Sequence, residues 1–226
     1  MTEELLVFDL EVTDFKTADD FQRAVLYKKK AGYIPDALIF VEHNSVFTIG
    51  RTGSLQNLRT DKGLLQQKGV EVINTDRGGD ITYHGPGQLV IWPVFDLAHH
   101  KKDIGWFITN IEAVLIDLLR SYGIDAETKD GLRGVWVKDK KIGFVGIGVT
   151  KWITYHGASL NISADVNYFS LIHPCGLKNI EVTSMHLELG KTLDMETIKR
   201  EITALFLRLF GYRRITHTQK HLCFAT

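Results

Sequence analysis

Cys175 is the residue best placed by its neighbours to do covalent chemistry, because His173-Pro-Cys-Gly176 sets it between a proline and a glycine. Those two residues fix a turn and hold the thiol in a defined place. The nucleophile is the thiolate, and with an ordinary pKa of about 8.5 only a few per cent is ionised near neutrality, so the thiol needs a cation or base beside it. The candidates are Lys141, His84, His156 and His173. Lys138 and Lys140 belong to a charged turn and read as solvated, whereas Lys141 enters the glycine-rich stretch that follows. An ammonium within about 4–6 Å would lower the thiol pKa by roughly one to three units. A lone cysteine is more often a small buried hydrophobe, and that reading suits Cys223 in its apolar tail.

A second chemical feature is Arg77-Gly-Gly-Asp-Ile-Thr-Tyr-His-Gly-Pro-Gly-Gln88, which sets glycines, an arginine and a histidine between two apolar runs. The ordinary reading is a tight double turn joining two strands. The loop is followed at once by the buried-strand run Leu89-Val-Ile-Trp-Pro-Val-Phe95, so it sits at the edge of a core, where binding residues tend to lie. It is neither a phosphate-binding Walker loop nor a dinucleotide fingerprint, lacking Gly-Lys-Ser/Thr and the required glycine spacing. His43, His84 and His156 with Cys175 follow no zinc-ligand spacing. A cysteine hydrolase, with a histidine as base and Arg77 orienting the substrate, stays open on these residues alone.

Several elements must position these groups. Glu4–Leu10 predicts a first strand, and Thr17–Tyr27 a helix N-capped by Thr17. Ala37–His43 and Ser45–Gly50 predict a hairpin or a kinked strand. A short helix over Asp61–Lys68 and a strand over Val70–Asn74 lead into the glycine loop. Apolar residues at three- and four-residue steps predict helices over Ile104–Tyr122, ended by Gly123, and over Met195–Phe210. Arg133–Val137 and Ile142–Val149 predict a hairpin around Lys138–Lys141, Ile153–Ile162 a further strand, and Arg213–Thr216 a last one. Strands outnumber helices and run as meanders, so the expected class is α+β, a mixed, largely antiparallel sheet with helices packed on one face.

The chain has 226 residues, long enough for a substantial core, and the expectation is one domain over 1–226. With 27 basic and 27 acidic residues, no net field draws it to nucleic acid or to a membrane surface. The acidic start Met1-Thr-Glu-Glu, the absence of a long apolar run and only 2 cysteines predict a cytoplasmic protein with free thiols.

Taken together, Glu42-His43 with Thr48-Ile-Gly-Arg51, the Arg77–Gln88 loop, Gly134-Val-Trp-Val137, Lys141-Ile142, Tyr155-His-Gly157 with Leu160-Asn161, Pro174-Cys-Gly176 and Thr183-Ser184 resemble the lipoyl(octanoyl) transferases. These are the octanoyl-[acyl-carrier-protein]:protein N-octanoyltransferases of lipoate biosynthesis. The resemblance covers about two-thirds of the chain in the family's order, and it departs at Gly157-Ala-Ser159, where many members carry a bulkier residue before the alanine. It implies the α+β fold shared with biotin protein ligases and lipoate ligases. It also implies Cys175 as the nucleophile that accepts the octanoyl group and Lys141 as the residue that lowers its pKa. By the same likeness the substrate site is lined by Arg77, Gly78, Gly79, Asp80, Ile81, Thr82, Tyr83 and His84, by Phe144, Val145 and Gly146, and by Gly157, Ala158 and Ser159.

The implied donor is octanoyl-acyl carrier protein, and the implied acceptors are lipoyl domains of 2-oxoacid dehydrogenase E2 subunits and the glycine cleavage H protein. No ATP, metal or other cofactor is implied, since the acyl group arrives as a phosphopantetheine thioester. The competing readings are an amidotransferase moving octanoyl or lipoyl groups between lipoyl-bearing proteins, an adenylating ligase, and a non-catalytic carrier-binding module.

Overall fold

The computed structural model of the chain describes residues 3–174 and 180–218, apart from the Lys62 side chain. The strands among them are β1 (Glu4–Val12), β2 (Asp36–Glu42), β3 (Val46–Ile49), β4 (Glu71–Asn74), β5 (Ile81–His84), β6 (Gln88–Val94), β7 (Glu127–Lys129), β8 (Leu132–Val137), β9 (Lys140–Thr150), β10 (Ile153–Asn161), β11 (Glu181–Val182) and β12 (Arg214–Thr218). The helices are α1 (Phe15–Lys30), α2 (Lys62–Gln67), α3 (Ile104–Ser121), α4 (Met185–Leu189) and α5 (Met195–Phe210).

The main sheet runs β12-β1-β2-β6-β10-β9-β8-β7, with β11 on β9, and a smaller sheet runs β4-β3-β5. β12, β1 and β2 pair in parallel, as does β11 with β9, while β2-β6-β10-β9-β8-β7 is antiparallel throughout. The class is therefore α+β with a mixed, largely antiparallel sheet. Among the described residues no helix is long and apolar enough to cross a membrane.

The helices cover both faces of the main sheet, not one. On β6, Leu89 and Ile91 join Phe107, Leu115, Ile202 and Phe206 of α3 and α5. Val90, Trp92 and Val94 point the other way, into a core with Phe15, Ala18, Phe21 and Val25 of α1. The unbroken apolar run of β6 carries this information, because a strand covered on both faces needs no polar alternation. Each wholly buried large side chain here contributes roughly 1.5–3 kcal/mol through burial. Truncating Phe95, which meets Phe107, Phe206, Phe210 and Tyr212 edge-on at 5.2–5.9 Å, is expected to cost about 3–5 kcal/mol.

Three local expectations are corrected. α1 begins two residues before Thr17, because Asp14 supplies the cap by accepting from Thr17 N–H. β2 and β3 form no hairpin: the chain leaves the main sheet after Glu42, and β3 pairs with β4 and β5 instead. Within the glycine loop, Ile81–His84 is strand β5, which pairs with β3. The predicted helix over 104–122 is α3, N-capped by Asp103 and followed by Gly123 at φ 80.

Candidate active site

The glycine segment is shaped by Arg77, which is 9 % exposed. Its Nε donates to Thr48 Oγ1 at 3.1 Å, its Nη2 to Thr48 O and Asp80 O at 2.6 Å each, and its Nη1 to Gly78 O at 3.1 Å. A planar guanidinium can satisfy several carbonyls at once from one position. Asp80 works from the other side, accepting from Ser54 N, Ile81 N and the Asn57 amide. Gly78 N–H then donates to Ile147 O at 2.9 Å, so the segment lies against β9 of the main sheet. Both the segment and β9 need glycine at this crossing. A Cβ on Gly78 would lie 2.9 Å from Ile147 O, and one on Gly146 would lie 2.6 Å from Gly78 O.

Two spaces meet at this crossing. The inner one, about 50 Å³, is lined by Arg77–Thr82 and His84, by Phe144–Gly146, by Gly157–Ser159, and by Phe15, Val90, Trp92 and His156. The outer one, about 590 Å³, shares Gly78, Gly79, Asp80, Val145 and Gly146 with it and adds Lys141, Arg51, Arg133, Ile104 and Ile108. A narrow, largely apolar chamber thus adjoins a wider cleft that has Lys141 in its wall.

His84 and His156 line the inner chamber, and His43 packs behind His84 with ring centroids 5.7 Å apart. Burial holds His43 down at about 4, against a hydrogen bond to Thr13 O that favours the proton. Burial, with the charge of Arg77 nearby, also holds His84 well below the ordinary histidine range. Gln88 donates its amide N–H groups to Tyr83 O and Asn161 Oδ1, which turns its Oε1 toward His84 Nδ1 at 2.6 Å. His84 Nδ1 is therefore the donor, and Nε2 keeps its lone pair. His156 is lowered by burial, opposed by its 2.9 Å bond to Asp76.

His156 sits where the pairing of β10 with β6 is interrupted, while its pairing with β9 continues through Ile147. Pro93 has no N–H for the ladder, and the described β6–β10 pairing begins only at Ile91–Ala158. β10 leaves the regular strand at His156, whose φ is 53, a conformation costing of order 1–3 kcal/mol outside glycine. Thr154 restores the connection, its Oγ1 bonding Pro93 O at 2.7 Å and accepting from Phe95 N at 2.9 Å. This break turns the His156 ring against Trp92, centroids 5.8 Å apart, beside the inner chamber.

Lys141 is 2 % exposed, unlike the solvated turn residue Lys140. Its Nζ donates to Arg133 O at 2.7 Å and stands 5.2 Å from the Trp136 ring and 5.0 Å from the Phe144 ring. Aromatic faces attract a cation, more strongly where water is excluded. Its backbone O accepts from Thr183 N at 2.9 Å. Asn161 Nδ2 donates to Thr183 O, which joins β11 to the His84–Gln88–Asn161 chain of buried polar groups.

The predicted substrate segments 77–84, 144–146 and 157–159 come from distant parts of the chain and meet around the inner chamber, with one exception. The Tyr83 side chain lies on the opposite face of β5, stacked on Tyr168 at 4.5 Å and bonded to Ser45 Oγ at 2.9 Å. Strand alternation puts it there. Cys175 and Gly176 lie outside the described residues, as does Cys223. The sequence reading missed Phe15, Val90 and Trp92 as lining residues, and named His156 only as a candidate base or cation for the thiol. It also missed Gly134 and Trp136 as the surroundings of Lys141, although both belong to the Gly134–Val137 signature.

Residues 14–207 match the sequence profile described as the lipoyl protein ligase A/B catalytic domain. An octanoyltransferase of Solibacter usitatus is 40% identical over 202 residues, covering 89% of this chain and 91% of that protein. The fold is similar to that of a bi-partite lipoate protein ligase from Thermoplasma acidophilum, with TM-score 0.73 at 17% identity, covering 99% of this chain and 90% of that one. It is also similar to that of a biotin protein ligase from Aquifex aeolicus solved with biotin and ATP, with TM-score 0.56 at 13% identity, covering 91% of this chain and 70% of that one. The chain therefore belongs to the lipoyl protein ligase A/B catalytic-domain family and, within it, to the octanoyltransferases.

Proposed function

We propose that this octanoyltransferase works by a ping-pong reaction in which Cys175 carries the octanoyl group and Lys141 serves Cys175. As a family member it is an acyltransferase of protein lipoylation, taking octanoyl from an acyl carrier and giving it to a lipoyl-domain protein. In our reading the donor is octanoyl-acyl carrier protein, and the acceptors are lipoyl domains of 2-oxoacid dehydrogenase E2 subunits and the glycine cleavage H protein. One observation carries the reading: segments 77–84 (Tyr83 apart), 144–146 and 157–159 bound a narrow chamber that shares Gly78, Gly79, Asp80, Val145 and Gly146 with the cleft lined by Lys141. The described residues flanking Cys175 are tied to the same region. His173 N–H bonds Asn57 O, Asn57 bonds Asp80, and Thr183 N–H bonds Lys141 O.

The Cys175 thiolate attacks the carbonyl carbon of the donor thioester, and the carbon–sulfur bond to phosphopantetheine breaks, releasing that arm as a thiol. An acyl-enzyme thioester results. The ε-amine of an acceptor lysine then attacks the same carbon, Cys175 leaves, and an amide is formed. Lys141, as an ammonium, first favours the thiolate and gives its proton to the departing phosphopantetheine sulfur; as a neutral amine it then takes the proton released by the incoming amine. Thioester exchange is nearly balanced and amide formation runs downhill, so the chemistry needs neither ATP nor a metal. Backbone N–H groups at the glycine crossing are candidates for holding the oxyanion. The inner chamber, with Phe15, Val90, Trp92 and Ala158 in its wall, takes the apolar tail, each buried methylene contributing about 0.8 kcal/mol.

The test is a reconstitution from purified octanoyl-carrier protein and a lipoyl domain, without ATP, followed by mass spectrometry of the acceptor. Octanoylation of one acceptor lysine is expected, with loss in Cys175→Ala. Transfer that persists in Cys175→Ala, or that requires ATP, would overturn the mechanism. An amidotransferase would instead accept an octanoylated lipoyl-bearing protein as donor.

A further inference from the structure

The peptide group between Arg133 and Gly134 is gripped at both ends. Its carbonyl oxygen accepts from Lys141 Nζ at 2.7 Å, and its N–H donates to Glu112 Oε1 at 2.8 Å. Glu112 stands on the inward face of α3, 3 % exposed, among Ile111, Val114, Leu115 and Leu118. A carboxylate there carries a desolvation cost that an apolar residue would avoid. The charged groups facing it are Arg133 of β8, whose Nη1 is 3.9 Å from Oε2, and Lys141 of β9 across the shared peptide.

We propose that Glu112 is a positioning residue for Lys141, acting through the Arg133–Gly134 peptide. A carboxylate on the N–H polarises the amide, so that its carbonyl becomes a stronger and better fixed acceptor for the lysine nitrogen. Gly134 makes the arrangement possible. Its φ is 107, and a Cβ there would lie 2.4 Å from Gly143 O and 2.7 Å from Lys141 Cε. The rings of Trp136 and Phe144 complete the enclosure. Only the catalytic consequence rests on the proposed pairing of Lys141 with Cys175.

Glu112→Gln is the informative change, since it keeps an oxygen for Gly134 N–H and removes the charge. Reductive methylation of Lys141, mapped by peptide mass, reads the grip itself. Several-fold faster labelling is expected in folded Glu112→Gln than in wild type, and an unchanged rate would overturn the proposal. Glu112→Asp keeps the charge on a shorter arm and is expected to label more slowly than Glu112→Gln. Equal acceleration in both would make the residue merely structural.

The second readout is the pH profile of Cys175 alkylation. Acting through Lys141, loss of the carboxylate raises the midpoint by about half a unit to one unit, less than Lys141→Met does. Acting directly on the thiolate, it would lower the midpoint. An upward shift that disappears in a Lys141→Met background supports the proposal, and a downward shift or none contradicts it. If labelling accelerates while Lys141→Met itself leaves the alkylation profile unmoved, Glu112 still positions Lys141, and the pairing of Lys141 with Cys175 is what fails.

Discussion

Arg77 heads one of the segments whose residues resemble the octanoyltransferases, and a substrate-orienting arginine would be its simplest reading. Its guanidinium is instead bonded to Thr48 Oγ1 and to the carbonyls of Thr48, Gly78 and Asp80, so Arg77→Lys tests whether it holds the fold. An ammonium on a shorter arm, without the planar fork, can keep one of these acceptors and leaves the others without a donor. Charge-assisted bonds contribute about 1.5–3 kcal/mol each. Losing two or three, less what rearrangement recovers, comes to about 3–5 kcal/mol, near the top of what single substitutions cost. At this chain length 1 kcal/mol moves the melting temperature by about 2–4 °C, so a drop of roughly 10 °C is expected. Thermal unfolding followed by circular dichroism measures it, with transfer activity read well below the transition. A melting temperature within about 2 °C of wild type, a shift worth under 1 kcal/mol, together with abolished transfer, would refute the structural account of Arg77.

Ala158→Leu intrudes on the inner chamber, whose wall Ala158 forms. Carrier proteins loaded with hexanoyl, octanoyl and decanoyl chains in competition should then shift toward hexanoyl, by about fourfold per lost methylene contact at 0.8 kcal/mol each. An unchanged chain-length order would move the acyl tail elsewhere. His43, held at about 4 by burial, titrates near 6.5 when unfolded. Its neutral form therefore supports the fold fully above about pH 6.5, and that support is lost as pH falls through about 4. The loss is of order 3 kcal/mol. Urea midpoints taken between pH 7 and 4 should fall less in His43→Gln than in wild type; parallel curves would exclude His43 as a source.

How much of this could be read from the chain alone depends on what kind of contact each residue makes. Turn chemistry singled out Cys175 as a candidate nucleophile, a residue outside those described, and the step from a charged turn into a glycine-rich stretch separated Lys141 from its exposed neighbours. Helical periodicity located α3 and α5 to within a residue. The second helical layer was written in the unbroken apolar run of β6, which alternates between two cores. The β2–β3 turn was misread because short-range sequence cannot say that a chain changes sheets at Glu42. The bonds of Arg77 to Thr48 and Asp80 and the meeting of Gly78 with Gly146 depend on long-range packing, which periodicity does not carry. Glu112 left a trace: it is a carboxylate within the apolar stripe of α3, one turn from Ile108 and from Leu115.

The central claim is that the octanoyl group rests on Cys175 between donor and acceptor. Intact mass of the protein after exposure to octanoyl-carrier protein alone, without ATP or acceptor, followed by peptide mapping, tests it most directly. A single octanoyl adduct, labile to hydroxylamine, is expected on Cys175 and is expected to be missing from Cys175→Ala. No labile adduct on wild type, or an undiminished one in Cys175→Ala, would contradict it.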